Sequence, residues 1–193
     1  PQGAWATDNS PGVAYPTIEK FKPSFANIRA DNDFVVVVFH WGEELSQRLR
    51  PYQPEMAAAV TSWGADAVFG HHAHIAQSTQ TVFGKPVGYG LGNFIFTAYS
   101  DGARFGLAAH VEFCREKDNQ RSVRVAYTPL HTHNLNTAFV TRPMTNLEFK
   151  NALQSYSEVD GFAPNTQFYL HDEKKTLPVS DWMKRLKIAS KEN

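Results

Sequence analysis

The chain has 193 residues, enough for one domain with a sizeable core. With 42% apolar residues, 20% charged residues and no formal net charge, it is not disordered by composition. It offers no bulk attraction for nucleic acid or an anionic membrane, its single cysteine (Cys114) rules out an internal disulfide, and no apolar run approaches the roughly 18 residues of a membrane helix.

Residues 1–24 are rich in Pro, Gly, Asn and Ser and predict an irregular arm, packed through Trp5, Tyr15 and Phe21. No secretory signal is visible. Because the sequence opens on Pro1, a signal or membrane anchor outside these residues stays open. Residues 34–39 form a continuous apolar run with four valines, which predicts a strand covered on both faces. His40-Trp41-Gly42 then begins a loop. Residues 54–63 have helical apolar spacing with proline in the first turn, and Gly64 supplies a C-terminal cap. Residues 67–69 predict a second buried strand, and Gly70 opens a histidine loop. Strand, loop, helix and strand in this order predict one right-handed crossover unit.

The rest is richer in strands. Residues 78–83 and 86–90 flank a turn at Gly84-Lys85, and residues 94–97 are a short strand candidate. Residues 105–113 and 122–127 alternate and predict a hairpin, with Cys114 a buried structural thiol in the same alternating stretch. Residues 144–156 predict a helix. Beyond Asp160, turn signals lead to a basic stretch at 182–191, read as a solvated helix rather than a nucleic-acid arm.

The chemistry concentrates in two segments. His40 closes the first apolar run, and His72 and His74 follow the second. Imidazoles at the mouths of buried strands lie where α/β folds form sites. Alternate residues on an extended segment point to opposite sides, whereas a curved loop turns both rings to one centre. Neutral imidazole suits zinc, iron, nickel or manganese. Three or four histidines do not fill a two-metal site, so carboxylates, an asparagine and a bridging ligand are expected besides. Asp66, Glu43 and Glu44 are the nearest acids. Asp66, at the start of a strand, reads as structural; Glu43 reads as surface charge or as a metal or substrate contact.

The blocks H-W-G-E-E at 40–44, G-A-D-A-V-F-G-H-H-A-H at 64–74 and Y-G-L-G-N-F-I-F at 89–96 resemble the CapA-type poly-gamma-glutamate synthesis proteins. These belong to the calcineurin-like metallophosphoesterase superfamily. The resemblance covers roughly residues 25–113. It implies an α/β fold that is part of a four-layer αββα sandwich, and a site holding two divalent ions (Mn, Fe or Zn). His40, His72 and His74 would be metal ligands, and His71 or His74 would pass a proton to the leaving group. Trp41, Glu43, Asn93 and Arg104 are the candidate substrate contacts.

The superfamily also carries an earlier D-x-H, a G-D and a G-N-H, and none precedes His40. The resemblance therefore implies the C-terminal half of the domain at 25–159, with an extension at 160–193. The two ions would be held only with an N-terminal half, present as a separate chain or a missing segment. The implied substrate is an anionic polymer or a phosphoester, and the implied location is the cell surface or outside, with the cytoplasm left open. Rival readings are a phosphoesterase and a polymer-handling scaffold without catalysis. His110 reads as a core or interface group, and His131 and His133 as rim residues rather than ligands.

Overall fold

A computed structural model describes residues 5–14, 17–96, 99–100, 103, 105–115, 120–154, 161–170 and the backbone of 173–178. Arg104, the 182–191 stretch and Tyr15 lie outside the described residues. The elements run α1 (Ile18–Asp31), β1 (Val36–Trp41), α2 (Tyr52–Ser62), β2 (Ala67–His72), β3 (Thr79–Val82), β4 (Lys85–Gly88), β5 (Phe105–Arg115), β6 (Arg121–His131), α3 (Asn134–Thr137), β7 (Arg142–Pro143), α4 (Asn146–Gln154), β8 (Gln167–Leu170) and β9 (Glu173–Pro178). This is a mixed α/β fold with two small sheets. One has the order β1-β2-β4-β3, the other β5-β6-β8-β9 with β7 on β6.

Helix α1 corrects the irregular reading of residues 18–24. The Thr17 hydroxyl accepts from the Lys20 amide at 3.3 Å and caps the start, with Glu19 in the first turn. Phe21 and Phe25 lie one turn apart and both meet Trp63 of α2's end edge-on, at 6.1 and 5.8 Å between ring centres. Pro23 inside the helix hid it from a composition-based reading. The strand–helix–strand order is as expected: β1 and β2 pair in parallel from Val36↔Ala67 to Trp41↔His72, with α2 between them in sequence.

The first sheet separates two cores. On one side Val35, Val37, Phe39 and Trp41 pack with Phe25, Ala57, Val60 and Val68. On the other, Ala67 and Phe69 of β2 pack with Phe105, Leu107, Tyr127, Phe149 and Phe168, which belong to the second sheet and α4. The reading of residues 34–39 as covered on both faces is wrong for β1. Val36 and Val38 share the face of Ala67 and Phe69 by register, yet stay 37% and 61% exposed. The second sheet covers that face at β2 and leaves it bare at β1.

Between the sheets runs the segment 89–93, hydrogen-bonded to both. The Leu91 amide donates to the Gly70 carbonyl at 2.9 Å, and the Leu91 carbonyl accepts from the Leu107 amide at 2.7 Å. A Cβ at Gly70 would overlap the Tyr89 carbonyl and the Trp41 indole nitrogen. One at Gly106 would overlap the Asn93 carbonyl. Residues 94–96, a strand candidate by sequence, are bends with Phe94, Ile95 and Phe96 all more than half exposed. The β3–β4 turn is centred one residue earlier than predicted, on Phe83-Gly84, both at positive φ as such two-residue hairpins require. The β5–β6 hairpin is longer than predicted, 11 residues on each side in unbroken register.

Asp66 has the structural role its position predicted. It accepts from the Val35 amide at 3.0 Å and pairs with Arg29 at 3.0 Å and Lys85 at 2.9 Å, tying α1, the start of β1 and β4 together. Burial pushes its pKa up, but the Lys85 hydrogen bond, the Val35 amide and the Arg29 charge outweigh burial and hold it below the usual carboxylate range. A depressed folded pKa contributes stability that is present above the unfolded value of about 3.9 and is lost as pH falls through the folded value.

Two outcomes follow from this packing. Gly106→Ala is expected to destabilise the chain by about 3 kcal/mol or more, read by urea unfolding; a loss under about 0.5 kcal/mol would show that the sheets can separate freely. Asp66→Asn is expected to cost about 2 to 3 kcal/mol at neutral pH and to flatten the fall in stability below about pH 4. An unchanged acid limb in that variant would remove Asp66 as its source.

Candidate functional site

The parallel pair β1/β2 ends in the register pairs His40↔His71 and Trp41↔His72. Regular alternation would put His72 on Trp41's face, opposite His40. The backbone prevents this. His72 has φ of 90° and His74 has φ of 59°, so the chain leaves the extended region at the strand's end. The His72 ring swings over the edge, and its Nδ1 lies 3.0 Å from His40 Nε2. The ring centres of His40 and His72 are 4.7 Å apart, and those of His72 and His74 6.4 Å apart. Three candidate ligands are thus brought to one side of the sheet's carboxyl end.

His74 is turned by another contact. Its Nδ1 lies 2.8 Å from Asn93 Oδ1, and its ring stacks on Phe96 with centres 4.8 Å apart. An amide oxygen only accepts, so Nδ1 carries the proton and Nε2 is left with a free lone pair. A ligating or proton-accepting histidine is commonly oriented by a partner of this kind. Asn93 itself is 6% exposed and held by the crowding of its carbonyl against Gly106. The contribution of Phe96 was missed because residues 94–96 looked like a strand; an apolar triplet just after a glycine-rich turn was the available signal.

The other candidates spread out. His71 faces solvent beside His40. Trp41 is 6% exposed beneath the histidines, stacked on Phe39 at 4.4 Å and donating from Nε1 to the Tyr89 carbonyl at 2.7 Å. Glu43 is exposed and pairs with Arg50 at 2.7 Å. His133 is buried at the start of α3. His131 lies in the field of Arg142 and Glu148, its pKa lowered by burial first and by the Arg142 charge second. His110 is exposed and bonded to the Thr128 hydroxyl at 2.7 Å, not a core group.

The electrostatics favour a neutral His40. His40's pKa is lowered by partial burial first, then by His72 and His74. Neutral imidazole is the ligand form. The His40–His72 spacing is a hydrogen-bond distance, shorter than the roughly 3.4 Å between two nitrogens held about 2.1 Å from one tetrahedral ion. The pair as it stands shares a proton, and a cation between them would need the rings to part by a few tenths of an ångström. Among the described residues no group of three or more His, Cys, Asp or Glu side chains is gathered as a metal site. The donors of this chain do not by themselves fit a two-metal centre.

A family model described as "Bacterial capsule synthesis protein PGA_cap" matches residues 1–98, about half of the chain, and takes in His40, His71, His72, His74 and Asn93. The chain is 30% identical to "PGA biosynthesis protein CapA" of Bacillus subtilis (strain 168) over 178 residues, which is 92% of this chain and 44% of that protein. It is 39% identical to "Capsule biosynthesis protein CapA" of Bacillus anthracis over 102 residues, 49% of this chain and 24% of that protein. The chain thus spans less than half the length of these curated relatives. Among the described residues no helix is long and apolar enough to cross a membrane.

The orientation of His74 is open to direct test. Nitrogen-15 NMR of the metal-free chain at pH 8 is expected to find His74 with the proton on Nδ1. Asn93→Ala is expected to shift that ring towards the mixture of tautomers seen in free imidazole. A His74 already mixed in the parent would dismiss Asn93 as its orienting group.

Proposed function

The chain belongs to the PGA_cap family of bacterial capsule synthesis proteins, and from that premise we propose that it serves the making or surface handling of poly-gamma-glutamate through the site at His40, His72 and His74. The observation that carries this reading is the convergence of His40 and His72 at the carboxyl end of a parallel strand pair, inside the matched region. The resemblance points to a metallophosphoesterase-like αββα sandwich, and the two-sheet architecture with helices is compatible with one part of it. His40 and His72 would each hold a metal through a neutral ring nitrogen, with His74 Nε2 free to join them. The carboxylates and remaining donors would come from outside these residues.

Divalent cations at such a site would supply Lewis-acid activation of water and of the electrophile. The chain's own groups have separate tasks in this reading. Asn93 holds the proton on His74 Nδ1, which leaves the Nε2 lone pair to join the metal. His71, on the exposed side of His40, would hand a proton to a leaving group. Trp41 fixes the strand end from below. The substrate class is a gamma-glutamyl link of an anionic polymer, cut or transferred, or alternatively a phosphoester. The site of action is the cell surface.

The test is genetic and uses the protein at its own locus. His40→Ala and His72→Ala are each expected to lower surface gamma-glutamyl polymer in the source bacterium by at least about tenfold, with chain abundance unchanged. Polymer lost on gene deletion but kept in both variants would replace catalysis by a scaffold role. A source strain whose surface polymer is unaffected even by deletion would overturn the assignment.

A further inference from the structure

At the opposite pole of the molecule from the histidines the two sheets part. Val87 of β4 pairs with Val68 near the start of β2, whereas the histidines cluster at that strand's carboxyl end. The gap between the sheets is a cavity of about 240 Å³. That is below the roughly 300 to 1,000 Å³ of pockets for drug-sized ligands. Thr81, Pro86 and Val87 of the β3–β4 hairpin line one side of it. Val123, Val125 and Tyr127, alternate residues on one face of β6, line another.

The third wall, the turn before β8, is fixed by its own bonds. The hydroxyls of Thr79 and Thr166 lie 2.5 Å apart. The Ala163 amide donates to the Thr79 hydroxyl at 3.0 Å and to the Thr79 carbonyl at 3.1 Å, and the Thr166 amide donates to the Ala163 carbonyl at 2.9 Å. Two further groups are oriented without being used up. Tyr127 is 3% exposed, and its hydroxyl lies against Gly88, where an added Cβ would come within 3.0 Å of it. That hydroxyl has no hydrogen-bond partner among the described residues, although a phenol buried so deeply ordinarily finds one. Burial pushes its pKa up, so it stays a protonated donor. Gln80 Oε1 accepts from the Tyr89 hydroxyl at 2.9 Å, which fixes the amide and leaves its Nε2 protons for another acceptor.

The chemistry of the walls selects the ligand. No charged side chain lines the cavity among the described residues, and the nearby Lys85 is held by Asp66 at 2.9 Å. A carboxylate or phosphate would lose its hydration there with no cation in return. Hydroxyl and amide groups around a floor of valines suit a compact, uncharged molecule with an apolar face and a rim of hydroxyls. We propose that this cavity binds one neutral pyranose sugar, its hydroxyls bonded to Tyr127 and Gln80 and its C–H face on Val87, Val123 and Val125. The inference is independent of the histidine site and gives the protein a second, saccharide contact remote from it.

Saturation-transfer NMR on the protein as the source organism makes it tests this. The probes are methyl β-glucoside and N-acetylglucosamine for a free sugar, and cellotetraose for the end of a glycan. Saturation is expected on the ring C–H protons of at least one probe, and its preference for cellotetraose or a single ring tells the two sources apart. Tyr127→Phe and Gln80→Ala are each expected to reduce that signal at least fivefold. Tyr127→Phe is expected to leave the melting temperature unchanged, because the lost hydroxyl has no internal partner. No saturation of any probe, a signal kept in both variants, or a lowered melting temperature in Tyr127→Phe would overturn the proposal. So would binding of gamma-glutamylglutamate that both variants abolish, because the site would then take an anion.

Discussion

The fold depends on one place where three backbones meet with no side chain between them. Leu91 is bonded through its amide to Gly70 and through its carbonyl to Leu107. At Gly70 and Gly106 a methyl group would fall on neighbouring backbone or indole atoms. That contact fixes the distance between the sheets, and the site inherits its geometry from it. Gly70 immediately precedes the histidine segment, and Asn93 follows the same crossing strand by two residues. The 2.8 Å bond between His74 and Asn93 is thus set by backbone packing in the core, not by the loops that carry the two side chains.

A second constraint acts at the strand end. A strand alone cannot present His40 and His72 to the same point, because the pleat separates them. The positive φ of His72 and His74 resolves the conflict. Such conformations cost of order 1 to 3 kcal/mol each for residues with a side chain, and they gather where function requires them. The cost here is borne by a segment anchored on both sides, by the sheet at Gly70 and by the buried Ala73, Ile75 and Ala76. A pair of rings with nitrogens 3.0 Å apart is the product.

Much of this was legible in the sequence, for physical reasons that differ by element. The valine run and the short run after Gly64 marked β1 and β2, because buried parallel strands are apolar without alternation. The tight passage at residues 89–93 was not read from Gly90 and Gly92, because the spacing of two glycines does not say which backbones meet there. Helix α1 was not legible because Pro23 breaks the compositional signal, although Phe21 and Phe25 sit one turn apart. The exposure of Val36 and Val38 was hidden because an apolar run reports what a strand is built to bury, not whether its cover is present. The His74–Asn93–Phe96 cluster joins residues on two loops, and no local pattern links them. Asp66 could be read correctly because a carboxylate at a strand's start lies far from the productive end.

The stack beneath the histidines has an optical consequence. The Trp41 indole is buried, lies face to face with Phe39, and is hydrogen-bonded to the Tyr89 carbonyl, one residue after His40 and across the register from His72. A shift of the strand end that draws the two imidazoles together or apart also moves the peptide that carries this ring. The chain therefore carries one of its four tryptophans at the base of the site, where the indole senses displacement of the strand end without an added label.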